Sequence, residues 1–244
     1  MYDGSEAGEY AGRLAETLPR VRDEIAAAAA GAGRTPESVR LLAVSKGHPL
    51  EAIRAALAAG LGELGENRVA ELAGKVEAIG RESVRWHMIG HVQRRKVGGL
   101  LEVVDCVQSV DSMRLAERID RLAAESGRTV EVLVQVNTSG EAAKGGFEAD
   151  EAVDAVLAIA GFGNVRVEGL MTMAPFVDDE RVLRGTFSGA RRILEEVRRQ
   201  SSEVGPQLSM GMSNDLRFAV EEGSTMVRIG TALFGARPGL AGGA

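Results

Sequence analysis

The chain predicts an α/β fold: a mostly parallel sheet closed into a (β/α)8 TIM barrel, with an extra helix at the N-terminus. Three observations predict it. Eight short apolar runs alternate with helical patterns, which argues for a parallel sheet fed by helices. No linker or shift in composition interrupts the 244 residues, so one domain is expected over 1–244, with a barrel core at about 38–237. A count near eight in this length suits closure. An open doubly wound sheet is the alternative, weakened because no Gly-x-Gly-x-x-Gly turn follows the first strand.

Taken in order, residues 1–9 are small and acidic and are expected to fray. Leu14, Leu18, Val21 and Ile25 recur three or four apart and predict a helix from Tyr10 to Ala30, which Pro19 kinks or divides. Leu41–Lys46 is a continuous apolar run ending in serine and lysine, the pattern of a strand covered on both faces. A helix over Leu50–Ala59, a strand at Leu61–Leu64 and a helix from Arg68 to about Ile79 follow. Arg85–Ile89 is the next strand, Arg94–Lys96 a short basic helix and Val103–Gln108 a fourth strand. Asp111 is placed to cap a helix carrying Leu115, Ile119 and Leu122. Thr129–Val136 is the fifth strand, Ala149–Ala160 a helix and Val165–Leu170 the sixth strand. The long helix over 180–200 has Leu183, Phe187, Ala190, Leu194 and Val197 on one stripe. Gln207–Met210, a helix over Asn214–Glu222, a last strand at Thr225–Ile229 and a short tail from Leu233 complete the chain.

The formal charge of -6 supplies no net positive field for phosphates and argues against a general nucleic-acid binder. One cysteine, Cys106, rules out an internal disulfide and fits a reducing compartment. No basic-then-apolar leader opens the sequence and no apolar stretch reaches a membrane span, so a soluble cytoplasmic protein is the expectation. His48, His87 and His91 lack metal-ligand spacing, and no metal is expected.

The unusual polar residues fall just after strands: Lys46, Asn67, His87, Gln93, Asn137, Lys144, Thr172, Ser209, Ser213, Arg228 and Thr231. In a barrel such positions converge on one mouth; as loop residues they are otherwise simply solvated. Lys46 is either a solvated strand end or a buried nucleophile. Ser209-Met210-Gly211-Met212-Ser213-Asn214-Asp215 supplies small hydroxyls and a glycine before a helix, the pattern of an anion cradle, though Ser213 or Asn214 could equally cap that helix. Gly230-Thr231 after the last strand matches it, because barrel phosphate sites often use the loops after strands seven and eight. Arg228, a charge within an apolar strand, needs either a salt bridge or a ligand atom. A lysine amine, a phosphate cradle and an arginine for a ring nitrogen together suit pyridoxal phosphate (PLP).

The chain resembles the pyridoxal phosphate homeostasis proteins, related to the N-terminal barrel domain of bacterial alanine racemases. The resemblance runs from about Leu41 to Arg237. It is carried by Ala43-Val44-Ser45-Lys46, Gly65-Glu66-Asn67-Arg68-Val69, Trp86-His87-Met88-Ile89-Gly90, Ser109-Val110-Asp111-Ser112 and Val134-Gln135-Val136-Asn137. Gly169 to Pro175, Leu208 to Ser213, Val227-Arg228-Ile229-Gly230 and Phe234-Gly235 complete the set. It implies the barrel of fold type III PLP proteins, Lys46 as the Schiff-base lysine and Asn67 near the ring. It further implies Ser209, Ser213, Gly230 and Thr231 on the phosphate and Arg228 at the ring nitrogen, with His87, Gln93, Met171, Met210 and Gly211 behind them. His48, Arg94, Arg95 and Gln108 depart from the family's usual residues.

A two-base racemase needs a proton donor or acceptor on each face of its substrate. The resemblance implies that the second is a tyrosine of a further domain, whereas the only tyrosines here are Tyr2 and Tyr10. The expected function is therefore a non-catalytic, monomeric PLP carrier that serves cofactor homeostasis and meets recipient apoenzymes transiently. A weak amino-acid racemase, with water or His87 standing in for the tyrosine, is the alternative.

Overall fold

Why an N-terminal helix is retained on this barrel is explained by its one apolar stripe. The computed structural model describes residues 4–141 and 144–238; Tyr2 and the tail beyond Pro238 lie outside them. Helix α1 (Gly4–Gly31) starts well before Tyr10, so the expected fraying of residues 4–9 is not seen. It buries Tyr10, Leu14, Leu18, Val21, Ile25 and Ala28. Pro19 neither divides nor ends the helix. Its ring is on the exposed face, as is Ala15, whose carbonyl it cannot serve, so water can take that role. Arg13 and Thr17 donate to the carbonyls of Phe234 and Leu233 at 2.9 Å, tying α1 to the end of the barrel.

The strands are β1 (Arg40–Val44), β2 (Glu63–Glu66), β3 (Arg85–Met88), β4 (Cys106–Val110), β5 (Val130–Asn137), β6 (Phe147–Glu148), β7 (Val165–Met171), β8 (Gln207–Ser209) and β9 (Met226–Ile229). Eight of them close a parallel barrel, β1-β2-β3-β4-β5-β7-β8-β9, with β9 pairing back onto β1. The two-residue β6, not expected from the sequence, adds outside the barrel to the end of β5. Helices α2 (Leu50–Ala58), α3 (Val69–Ile79), α4 (Val97–Val103), α5 (Met113–Glu125), α6 (Ala152–Ala160), α7 (Glu180–Gln200), α8 (Leu216–Glu221) and α9 (Thr231–Phe234) lie between or after the strands.

Three expectations move. β2 lies two residues later than the apolar run at 61–64, because Ala43 and Val44 pair with Leu64 and Gly65. Val103 ends a helix instead of opening a strand, and β4 begins at Cys106. Asp111 does not cap α5: Ser112 is the capping position, without a side-chain cap bond, and Asp111 instead meets His91 at 2.9 Å. The stripe of α7 is as expected, with Thr186 and Ile193 joining it.

The N-terminal end of the barrel is closed by side chains of alternating charge. Arg40 reaches Glu63 and Gln207, Arg85 and Arg166 share Glu131, Arg166 also holds Glu168, and Gln207 donates back to Glu168. Above that ring lie Cys106, Leu133 and Met171, all buried. Burial pushes the Cys106 thiol up, far from thiolate chemistry. The opposite end is left open.

Candidate functional site

At the C-terminal end of β1 the chain turns sharply. Ser45 accepts from the His48 amide at 3.0 Å across Gly47, whose φ is +72°, a value glycine reaches without strain. Lys46 rides on this turn, half-buried. Burial, then the charges of Arg237 and Arg228, hold its amine below the usual lysine range, with Glu66 opposing. A larger fraction is therefore neutral, and nucleophilic, than in a solvated lysine.

The turn is held from beneath by a group that sequence reasoning misses. Lys75 of α3 is buried and donates to Ser45 O (2.8 Å), Glu66 Oε1 (2.7 Å) and Glu71 Oε1 (2.7 Å). Ser45 Oγ donates to Glu66 Oε1 at 2.6 Å, and the Gly47 amide to Glu71 Oε1 at 2.6 Å. Glu66 is fully buried and its pKa is raised, chiefly by burial. A signal is present: Lys75 lies next to Val76 and three from Leu72, on the inner stripe of its helix, four residues after Glu71.

Lys46 opens onto a cavity of about 430 Å3 that also touches Asn67, Lys144, Ser213, Arg228, Gly230 and Thr231. Met212, Asn214, Asp215 and Arg237 line it as well, and exposed Phe176 stands at its rim. Asn67 is admitted by Gly90, where a Cβ would sit 2.3 Å from the Asn67 carbonyl oxygen.

Two loops bring backbone donors to this space. Among the described residues the amides of Ser213, Asn214, Gly230 and Thr231 have no protein acceptor. Ser213 Oγ accepts from the Ala232 amide at 3.3 Å, which joins the loop after β8 to the one after β9. Asp215 ends the loop that the sequence singles out, but its role there is not legible from sequence. Its buried carboxylate takes the Met212 amide at 2.5 Å and so folds the loop; burial raises its pKa. Gly211, with φ +95°, is packed so that a Cβ would lie 2.6 Å from Ala219 Cβ.

Arg228 lies at the floor of the cavity. Its two terminal nitrogens are committed, Nη1 to Ser209 O and Oγ (2.7 and 2.8 Å) and Nη2 to Thr172 O (2.9 Å). Its Nε has no acceptor among the described residues. Complete burial lowers the guanidinium pKa to about 10, still a cation at neutral pH. A chain of hydrogen bonds descends from it: Ser209 Oγ donates to Gln108 Oε1 at 2.7 Å and Gln108 Nε2 donates to His87 Nδ1 at 2.9 Å. His87 Nε2 lies 3.1 Å from Glu63 Oε2, in poor hydrogen-bond alignment. Burial holds His87 neutral, its pKa below the usual histidine value although Glu63 opposes this.

The expected residues thus divide. Lys46, Asn67, Lys144, Ser213, Arg228, Gly230 and Thr231 share the cavity. Ser209, Met210, Met171, Thr172 and His87 are buried away from its lining, and Gly211 packs behind the loop. Gln93 is exposed and accepts from Arg95. Asn137 instead ties its own loop, donating to Glu141 O and Glu148. His48, bonded to Tyr10 at 3.0 Å, packs outside the mouth between Tyr10 and Phe234.

These histidines carry a pH expectation. His48 and His87 both have folded pKa values below 6.5, led by burial. As pH falls below 6.5 the unfolded chain gains protons that the folded chain does not, so stability present above that pH is lost. A urea midpoint lower at pH 5.5 than at 7.5, with a smaller drop in His48→Asn, checks this.

No group of three or more potential ligand side chains is placed to hold a metal among the described residues, and no described helix is long and apolar enough to cross a membrane.

Residues 18–238 match the sequence profile of the family described as alanine racemase, N-terminal domain. The pyridoxal phosphate homeostasis protein of Aquifex aeolicus is 40% identical over 222 residues, which is 91% of this chain and 97% of that protein. Among solved structures, a protein of unknown function from Bifidobacterium adolescentis aligns with a TM-score of 0.89 and 39% identity, covering 96% of this chain and 98% of that one. PipY of Synechococcus elongatus, solved with PLP bound, aligns with a TM-score of 0.79 and 36% identity, covering 91% of this chain and all (100%) of that one.

Proposed function

The chain belongs to the pyridoxal phosphate homeostasis protein family, and from that membership we propose that it binds PLP at the barrel mouth and holds it in reserve rather than turning over a substrate. One observation carries this reading: a half-buried lysine of lowered pKa, a buried arginine and unpaired loop amides line the same cavity. Its volume, about 430 Å3, is in the range of small-molecule sites. The residues fit the group. When bound, PLP supplies an aldehyde carbon to which an amine nitrogen joins as a Schiff base.

Lys46 Nζ is the amine in this assignment. Ser213, Gly230 and Thr231 would receive the phosphate, mainly through N–H groups that have no acceptor among the described residues. Asn67 borders the ring. Arg228, whose Nε has no acceptor among the described residues, would face the ring nitrogen; a cation there would oppose protonation of that nitrogen and keep the ring a poor electron sink. Ser209 and Thr172 fix the guanidinium plane from below, and Ser209 is assigned that task instead of a phosphate contact. The racemase alternative loses support, because His87 is buried beneath Gln108 and Tyr10 is bonded to His48 outside the mouth.

The visible spectrum of purified protein mixed with PLP tests the reading. A Schiff-base band in the wild type that is absent from Lys46→Ala is the expected result. A free-aldehyde spectrum in both would sink it.

A further inference from the structure

Beside the cavity is a second recess of about 380 Å3. It shares Lys46, Asn67 and Arg237 with the first and adds Gly47, Arg68 and Glu71. Several arginines of this chain have no partner among the described residues; here two of them line one recess beside Lys46. Arg13, Arg40, Arg85, Arg166 and Arg184 each reach a carboxylate. Arg68 and Arg237 hold no hydrogen bond and no ion pair among the described residues. Glu71 feels the charge of Arg68 but makes no ion pair with it, its Oε1 being taken by Lys75 and the Gly47 amide. Arg237 is exposed. Its side chain lies across Gly47, where a Cβ would come within 2.9 Å of Arg237 Cδ.

Two guanidinium groups flanking an amine make a poor site for a simple amine, which arrives as a cation. They suit a ligand that brings its own negative charge. A planar carboxylate matches the guanidinium fork. We infer that this recess is a carboxylate subsite for small α-amino acids, with Arg68 and Arg237 receiving the carboxylate and the amino group lying at Lys46. The inference rests on the PLP reading above and names the class of amine that releases Lys46.

The exchange needs no further reagent. With the imine protonated before and after, a neutral incoming amine would form the C=N bond that Lys46 Nζ gives up; one proton would pass from the incoming nitrogen to Lys46 Nζ, which already carries the other hydrogen and would leave as a neutral –NH2. The lowered pKa of Lys46 favours that departure. Freed from the lysine, the cofactor would be held by noncovalent contacts alone, at its phosphate, at its ring and through the amino acid's carboxylate, so amino-acid level would tune how readily it is surrendered.

Absorbance titration of the PLP-loaded protein with L-alanine and with methylamine reads this, at a pH where both ligands' free-amine fractions are counted. The wild type is expected to respond to alanine at a free-amine concentration on the order of tenfold lower than methylamine. Arg68→Gln and Arg237→Gln should each shrink that ratio several-fold. Because the ratio is taken within each variant, changes in loading or in Lys46 basicity cancel. Equal midpoints in the wild type, or ratios unmoved by both substitutions, would overturn the subsite while leaving the PLP reading intact. Displacement of alanine by equimolar inorganic phosphate would also overturn it, marking the recess as a general anion site. Absence of a lysine-dependent band in the wild type would instead remove the PLP reading, and this one with it.

Discussion

Lys75→Met is expected to destabilise the protein by about 3–5 kcal/mol, the usual cost of removing one partner from a buried ion pair. The substitution keeps much of the side chain's bulk, so the loss is electrostatic. It strips Glu66 Oε1, Glu71 Oε1 and the Ser45 carbonyl of a shared donor. Glu66, with no exposed surface, is then a carboxylate with only the Ser45 hydroxyl to serve it. It takes up a proton more readily, which fixes the sign of the pH dependence. A folded pKa raised above the unfolded value means stability present below about 4.5 and lost as pH rises through the folded value. The deficit against the wild type should therefore be smaller at pH 5 than at pH 8 in urea unfolding. Adding Glu66→Gln removes the stranded charge and should recover a large part of the loss. A single-variant deficit under about 1 kcal/mol, unchanged between those pH values, would show that water already serves the pair. The same network sets the turn that carries Lys46, so the variant should also form less of the lysine-dependent band.

That network shows which parts of the molecule are legible in the residues and which are not. Strands announce themselves where both faces are apolar, as in Leu133, Val134 and Val136 of β5. β2 is displaced from its expected place because its working segment, Glu63-Leu64-Gly65-Glu66, is half acidic. Each acid has a buried or half-buried cation supplied by a neighbouring element: Arg40 of β1 for Glu63, Lys75 of α3 for Glu66. The paired glycines of Val97–Val103 likewise mask a helix whose Val97, Leu100 and Leu101 are buried. At the site, lateral position can be read from the loops but depth cannot. Ser209 and Arg228 both end apolar strands, yet Arg228 reaches the cavity and Ser209 lies under it. Nor does sequence distance suggest that Gln108, nearly at the opposite side of the barrel, would receive the Ser209 hydroxyl. Arg68 and Arg237 look like ordinary surface arginines; their meaning depends on the partners they lack among the described residues.

Gly169→Ala should be the most damaging of the small substitutions, at roughly 3 kcal/mol or more, because three requirements meet at one atom. Its φ of +144° is a conformation that side-chain-bearing residues rarely adopt. A Cβ there would lie 1.9 Å from the Gln207 carbonyl oxygen and 2.8 Å from the Gln207 nitrogen, backbone atoms that cannot move without parting β7 from β8. And Gly169 sits at a bulge: Val132 pairs with Val167 but Leu133 with Gly169, leaving Glu168 as the extra residue. The bulge re-aims the end of the strand. Beyond it, Thr172 presents its carbonyl to Arg228, and on the neighbouring strand Ser209 takes the other terminal nitrogen. Displacing β7 from β8 therefore separates the two acceptors that fix the guanidinium. The variant should melt at lower temperature and, where still folded, bind PLP more weakly than a control of similar stability loss such as Leu115→Ala in the outer layer. A Gly169→Ala protein matching the wild type in both measurements would show that the bulge is free to relax, and that Arg228 is held by something other than the register of these two strands.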